Sequence, residues 1–334
     1  MHELAFPLLI ALIALALAFD FLNGLHDAAN SIATVVSTQL LSPVMAVVFA
    51  AVGNFAAYWI VGLHVAETVG KGIIDKDVVT PAVVFGALIG AMFWNVVTWL
   101  KGIPSSSSHA LIGGLLGAGV AHSGFGAIES AGTTKTILAI FVSPLLGFAL
   151  AMLLVLVTSW LFRGMQPRRA EGVFKSLHLV SSAAYSISHG GNDAQKTMGI
   201  ITVLLYSTGF LGGEFHVPEW VVLSCYAAIS LGTLSGGWRI IKTMGTRLTR
   251  LNHHTGFCAS TAGSIVVFGA SAMGIPVSTT HAITGSVIGT GAARRASAVR
   301  WTVAGRVATA WFITIPASAT VGASFYMLTT MFTS

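Results

Sequence analysis

The chain has 334 residues, of which 54% are hydrophobic and only 8% are charged. Soluble domains carry about 25% charged residues because a folded surface must be solvated, so this composition excludes a soluble enzyme, a nucleic-acid module and a disordered chain. The net charge of +6, from 17 Lys and Arg against 11 Asp and Glu, gathers in loops, where basic residues report membrane topology instead of a nucleic-acid partner.

Apolar segments run over Leu4–Leu22, Leu41–Val65, Val78–Leu100, Ile137–Phe162, Leu177–Ser188, Met198–Leu211, Val217–Leu234, Phe257–Ile275 and Trp301–Leu328. Two shorter Gly-rich pieces, Ser105–Ala121 and Val277–Ala293, each follow a proline. At roughly 20 apolar residues per helical span, this is material for about ten bilayer crossings. None of the segments alternates as a barrel strand must, so all are read as helices that satisfy their own backbone in lipid. The first lacks a basic region ahead of it and runs straight into a polar motif, which predicts a retained helix and not a cleaved leader. Cys225 and Cys258 lie in apolar context and suggest no disulfide framework.

The chain repeats itself. Asn23-Gly-Leu-His-Asp-Ala-Ala-Asn30 matches His189-Gly-Gly-Asn-Asp-Ala-Gln-Lys196 at Gly24/Gly190, Asp27/Asp193 and Ala28/Ala194. At a nearly equal offset, Gly102-Ile-Pro-Ser-Ser-Ser-Ser-His-Ala110 matches Gly274-Ile-Pro-Val-Ser-Thr-Thr-His-Ala282. A first repeat over 1–162, a basic linker over 163–176 and a second repeat over 177–334 follow. In the linker, Arg163, Arg168, Arg169 and Lys175 face one acid, Glu171, which predicts a cytoplasmic position. Arg239, Lys242, Arg247 and Arg250 form a second basic loop, and Arg294, Arg295 and Arg300 a third. Their counterparts differ: Glu67–Asp77 has two lysines against three acids, and His122–Ile128 has no Lys, Arg, Asp or Glu. Corresponding loops are therefore expected on opposite faces. The fold class is an all-α polytopic membrane protein of two inverted-topology repeats with broken or re-entrant helices, an architecture of secondary transporters.

Pro104 and Pro276 suit the first turn of a helix, where a missing N–H is harmless. Ser106, Ser107 and Ser108, and Ser278, Thr279 and Thr280, would then add hydroxyl donors to an anion-binding helix start. One copy alone is better explained by small residues packing closely in lipid; two at matched positions reverse that preference and favour an oxyanion site. His109 and His281 follow as a donor, relay or ligand, or as orienting groups bonded to backbone. Asp27 and Asp193 are paired ionisable groups within membrane segments, which are rare and usually functional. A carboxylate repels an anion, so these two point to a coupling cation, with Asn30 on the same helical face. Asp20 has only Ser186 as its counterpart and stays open. Lys196 stands where Asn30 stands in the first half, as an ion-pair partner, a tethered cation or an anion ligand. Arg306 is expected to snorkel.

These motifs, Gly-Leu-His-Asp-Ala-Ala-Asn (24–30), Gly-Gly-Asn-Asp-Ala-Gln-Lys (190–196), Pro-Ser-Ser-Ser-Ser-His (104–109) and Pro-Val-Ser-Thr-Thr-His (276–281), resemble those of the PiT family of inorganic phosphate transporters. The resemblance covers essentially the whole chain and implies that the two Ser/Thr-His segments cradle phosphate while the Asp motifs hold a coupling cation. It departs from the family's Gly-x-Asn-Asp-x-x-Asn pattern at His26 and at Lys196, which suggests drive by fewer sodium ions or by protons. The chain lacks the large central hydrophilic loop of animal members and looks like a compact bacterial form.

The expected function is a cation-coupled symporter that imports inorganic phosphate by alternating access across a bacterial inner membrane. Phosphate would meet Ser106, Ser107, Ser108, His109, Ser278, Thr279, Thr280, His281, Gln195 and Lys196. Asp27, Asn30, Asn192 and Asp193 would hold or relay the cation, H⁺ or Na⁺, with sodium at Asp27, Asn30 and Asp193. Gly24, Gly190 and Gly191 would let broken helices approach. No cofactor and no nucleic acid is expected; a metal–phosphate complex as substrate and a homo-oligomer stay open. The rivals are a sulfate permease of the same fold and an intramembrane serine hydrolase using Ser108, for which no Gly-x-Ser-x-Gly elbow exists.

Overall fold

A glycine inside a helix costs about 1 kcal/mol, far less than a proline, and neither Asp motif contains a proline. The helices that carry them accordingly run through without a break. A computed structural model describes residues 6–75 and 78–333, without the side chains of Arg239, Lys242, Thr246 and Thr333. Lys76 and Asp77, and the side chains of Arg239 and Lys242, which the loop-charge argument used, lie outside the described residues. In the first repeat the helices are α1 (Phe6–Ser37), α2 (Pro43–Ala56), α3 (His64–Gly72), α4 (Pro81–Lys101), α5 (Ser107–Ser123) and α6 (Ser130–Leu161). The second repeats this order as α7 (Pro167–Ser207), α8 (Glu219–Ser235), α9 (Trp238–Lys242), α10 (His253–Ala272), α11 (Thr279–Arg294) and α12 (Trp301–Thr333). Among the described residues there is no strand, only an isolated bridge between Ile74 and Ile128.

Among the described residues, five helices, α1, α4, α6, α10 and α12, are long and apolar enough to cross a bilayer. The pair Pro43–Trp59 and His64–Gly72, bent by 83°, makes a sixth if it is one broken span. The chain is thus an all-helical, multi-pass membrane protein, with fewer such helices than the ten crossings its apolar length suggests. Apolar length is consumed by helices longer than a span needs: α1 and α6 have 32 residues each and α12 has 33. The segments Leu177–Ser188 and Met198–Leu211 also merge into α7, whose 41 residues extend about 60 Å at 1.5 Å per residue. Leucines exposed along α6, among them Leu138, Leu145, Leu146 and Leu153, are the lipid-facing surface of such a protein.

The repeats interlock. α5 packs against α12 and α11 against α6, while α1 packs against α8 and α2 against α7. Small residues permit this, as is usual between helices in lipid: Gly117 faces the backbone of Ala319, and its counterpart Gly289 faces that of Phe148. Buried apolar side chains form two clusters. α1 gives Leu9, Leu12, Ala16 and Phe19 to one and Ala29, Ile32, Ala33 and Val35 to the other, leaving the Asp27 motif between them.

The breaks fall at the prolines. Ser106 caps α5 and Ser278 caps α11, each in extended conformation and each accepting from the backbone N–H three residues on, of His109 and His281, at 3.2 Å. Pro104 and Pro276 therefore stand two residues before the cap and not in the first helical turn as expected. Proline holds the preceding residue extended, which keeps each chain open until the serine closes the turn. Gly24 and Gly190 do allow close approach, but inside unbroken helices: an added Cβ at Gly24 would collide with the Ile229 carbonyl, and one at Gly190 with the Asn54 carbonyl. Replacing Gly24 by Ala is expected to lower stability by about 1–3 kcal/mol through overpacking, read as a lower melting temperature in detergent. Gly164→Ala, where nothing lies within 4 Å, should leave it unchanged.

Candidate functional site

The half-helices α5 and α11 begin next to one another, and the hydroxyls that follow their caps exchange hydrogen bonds in a reciprocal pattern. Ser108 donates to the carbonyl of Val277 at 3.2 Å, and its counterpart Thr280 donates to the carbonyl of Ser105 at 3.1 Å. Ser107 donates to Asp27 Oδ2 at 2.9 Å, and its counterpart Thr279 donates to Asp193 Oδ2 at 3.2 Å. The offset that relates the sequence motifs thus relates the contacts as well. Every one of these side chains is buried.

Asp27 on α1 and Asp193 on α7 meet at this centre. With His189 they place one ligand atom each within 4.8 Å of one another, an arrangement that can hold a cation between two negative groups. His189 is 3.5 Å from Asp193 Oδ2 and is also bonded to Asn54 Oδ1 at 3.1 Å. His26 joins Asp27 Oδ1 at 2.8 Å to Thr98 on α4 at 3.0 Å. Sequence reasoning assigned no role to His189, although it opens the second motif opposite Asn23. His26 was visible only as a departure from a pattern.

The two residues that break the symmetry nevertheless act alike. Asn30 donates to Thr280 at 2.8 Å, and Lys196 donates to Ser108, the counterpart of Thr280. Lys196 also donates to Asp193 Oδ1 at 2.5 Å and to the Val277 carbonyl at 2.9 Å. Ser108 is therefore bonded to an ammonium and a carbonyl and to no histidine, which is not the arrangement of a histidine-activated nucleophile. Asn192 lies beside the α10–α11 loop, donating to Ser271 at 2.9 Å and accepting from the N–H of Val277 at 3.3 Å.

Gln195 points elsewhere. Its oxygen accepts from the N–H groups of Val65 and Ala66 at 3.0 and 3.2 Å, and its amide donates to the carbonyls of Gly62 and Gly191. The amide thus caps the first turn of α3 and closes the bend before it. His109 and His281 meet edge to face with ring centroids 4.4 Å apart, and His281 stacks on Trp311 at 3.8 Å. His109 has no hydrogen-bond partner at either ring nitrogen, whereas His281 lies within reach of the Ile140 backbone, where an orienting bond would form.

Residues 23–322 match the phosphate transporter family. The chain belongs to that family. It is 62% identical to a "Probable low-affinity inorganic phosphate transporter" of Rhizobium meliloti, over 97% of each chain. A protein of the same description from Bacillus subtilis is 42% identical, over 97% of this chain and 98% of that one. Among solved structures, a sodium-dependent phosphate transporter superposes with a TM-score of 0.90 at 25% identity, covering 98% of this chain and 100% of the other. The family is one of transporters and not of enzymes, so the hydrolase reading is set aside.

In this member of the phosphate transporter family, cavities reach both loops. One of 560 Å³ touches Pro104 and carries Lys101, Arg247 and Arg306 on its walls; the other, of 340 Å³, touches Pro276 and carries Lys71, Lys135 and Glu67. Arg306 therefore lines a cavity beside a loop, and Lys135 holds the equivalent place in α6. Each cavity presents a surplus of positive charge, which concentrates anions. Gln195→Ala should lower stability by about 1–3 kcal/mol, since it strips buried N–H groups of their acceptor. Phosphate affinity of the folded variant, measured by equilibrium binding, should stay within a few-fold of wild type.

Proposed function

We propose that the protein is a cation-coupled symporter that imports inorganic phosphate across a bacterial inner membrane by alternating access between inverted repeats. The observation that carries this reading is the pair of carboxylates at the centre, each holding the hydroxyl of a half-helix start. Ser107 and Thr279 each have one proton to donate, and both protons are committed to Asp27 and Asp193. A cation between the two carboxylates would take over their charge and release the hydroxyls. Phosphate would then bind to them, to Ser106, Ser108, Ser278 and Thr280, and to the N–H groups of the helix starts, where the dipole favours an anion. Without the cation the carboxylates would repel phosphate. Each species therefore raises the affinity for the other, as thermodynamic linkage requires.

Lys196 shifts the choice of cation. Its ammonium stands in the pattern where the family has Asn, already paired with Asp193, so it supplies a fixed positive charge where other members would recruit a mobile one. Fewer sodium ions, or protons, would then drive uptake. Phosphate is favoured over sulfate because phosphate retains a proton at neutral pH and can donate it to Asp27 or Asp193, whereas sulfate offers only acceptors.

Purified protein in proteoliposomes, with sodium and pH gradients varied independently, tests this. Labelled phosphate should accumulate under a proton gradient without sodium, and excess sulfate should not compete. Strict dependence on sodium would overturn the role given to Lys196, and equal competition by sulfate the choice of substrate. Asp27→Asn and Ser107→Ala should each lower uptake at least about tenfold, the scale of about 1.4 kcal/mol, with the protein still folded.

A further inference from the structure

Asp20 lies on α1 seven residues before Asp27, on the same helical face and about 10 Å away along the axis. It has no part in the bonding described above. Both its carboxylate oxygens are buried and have no hydrogen-bond partner. Around it are further buried oxygens in the same condition: Asn23 Oδ1 on α1, Thr197 Oγ1 on α7 and the Tyr226 hydroxyl on α8. Asn23 and Thr197 are close enough to hydrogen-bond Asp20 were their geometry to turn, and Tyr226 and Cys225 lie within the field of its charge. The apolar cluster to which α1, α7 and α8 contribute includes Phe19, Ala194, Met198 and Ile229.

A buried carboxylate without a counter-charge of its own is strongly unfavourable, and the two charges that face Asp20 are of opposite sign and paired with each other. The charged groups that face it from α7 are Asp193 and Lys196. The first is of like sign. The second has three N–H bonds to give, and all are committed, to Asp193, Ser108 and the Val277 carbonyl. From α8 it meets only the neutral-side groups Cys225 and Tyr226. The Thr197 hydroxyl and the Asn23 amide N–H could turn toward Asp20, but a neutral donor leaves its negative charge in place and leaves Asn23 Oδ1 without a partner. The set is entirely oxygen, which suits a hard cation, and its single negative charge is neutralised by a single positive one.

We infer that Asp20, Asn23, Thr197 and Tyr226 form a second site for a monovalent cation, separate from the Asp27–Asp193 centre, taking sodium among these oxygens or a proton on Asp20. The site has no symmetry mate. The counterpart of Asp20 is Ser186, whose hydroxyl is bonded to the Ser182 carbonyl at 3.0 Å. It belongs to one repeat only, unlike the phosphate loops. A cation there would stand one turn of α7 from Asp193, on the flank of the coupling centre.

The test uses the purified full-length chain in detergent without phosphate, so that it reads independently of transport. Binding of radioactive sodium is measured at saturation, and carboxyl protonation is followed by difference infrared spectroscopy between acid and alkaline pH. Asp20→Asn, which keeps shape and removes charge, should lose one equivalent of sodium if sodium is the occupant. If a proton is the occupant, it should lose the absorption of one protonated carboxyl instead. Tyr226→Phe keeps the ring and the carboxylate, and should weaken the same signal about tenfold or shift its midpoint by about one pH unit, the scale of a lost supporting group. Sodium stoichiometry and infrared difference both unchanged in Asp20→Asn would overturn the site.

Discussion

Two buried carboxylates share one centre, and neither can be left with its charge unanswered. Asp27 and Asp193 are carried on helices that pass through the protein without interruption, so their positions are set by long stretches of packed backbone on either side. The elements that end at the centre are the half-helices α5 and α11, and their first free hydroxyls are the groups that answer the two acids. This allocation explains the order of the local sequence. A proline keeps the chain extended, a serine closes the helix by accepting the N–H of a histidine, and only the residues after that serine have hydroxyls left to offer the carboxylates. Caps and site are therefore built from adjacent residues with distinct duties.

The pseudo-symmetry of the contacts makes the departures from it informative. Asn30 and Lys196 both donate to the hydroxyl of the opposite loop, so the substitution keeps a hydrogen bond and adds a charge. His189 stands where the first repeat has Asn23, and His26 where the second has Asn192. Each histidine faces the acid of its own motif: His26 is bonded to Asp27 at 2.8 Å, and His189 Nε2 stands 3.5 Å from Asp193. The scaffold is thus nearly two-fold while the charge distribution is not. An alternating cycle needs the first property, since the two loops must exchange roles. Selection of a cation can rest on the second, because only the local charges distinguish one acid from the other.

Much of this was legible in the sequence. Scarce charge and long apolar segments identify the medium, and the paired motifs identify both the duplication and the residues that meet, because a repeated motif constrains two distant segments at once. What the sequence concealed has physical reasons. Apolar length does not reveal whether a polar motif ends a helix or sits inside one, and Asp27 and Asp193 sit inside, so segments did not map one to one onto helices. Gln195 was expected among the phosphate donors, yet adjacent positions on a helix point in different directions; its amide faces the bend before α3 instead. Trp311 and Thr98 carry no motif and reach the site only through packing, so nothing in their own segments marks them.

The supply of donors also bears on how the two cavities relate to the centre. Each reaches a Gly-Ile-Pro loop and presents cations there, yet the hydroxyls beyond the loop are already bonded to carboxylates or to the carbonyl of the opposite loop. An anion drawn into either cavity therefore meets a centre whose donors are occupied and whose fixed charges include two acids. Positive walls alone bring phosphate close without giving it a place to bind. Under the proposed function, the hydroxyls would become available once a cation satisfies Asp27 and Asp193, and the cross-loop bonds of Ser108 and Thr280 would tie the two starts together until then. On that proposal, coupling requires no distant communication: the cation takes the carboxylates, and the anion takes the hydroxyls those carboxylates now hold.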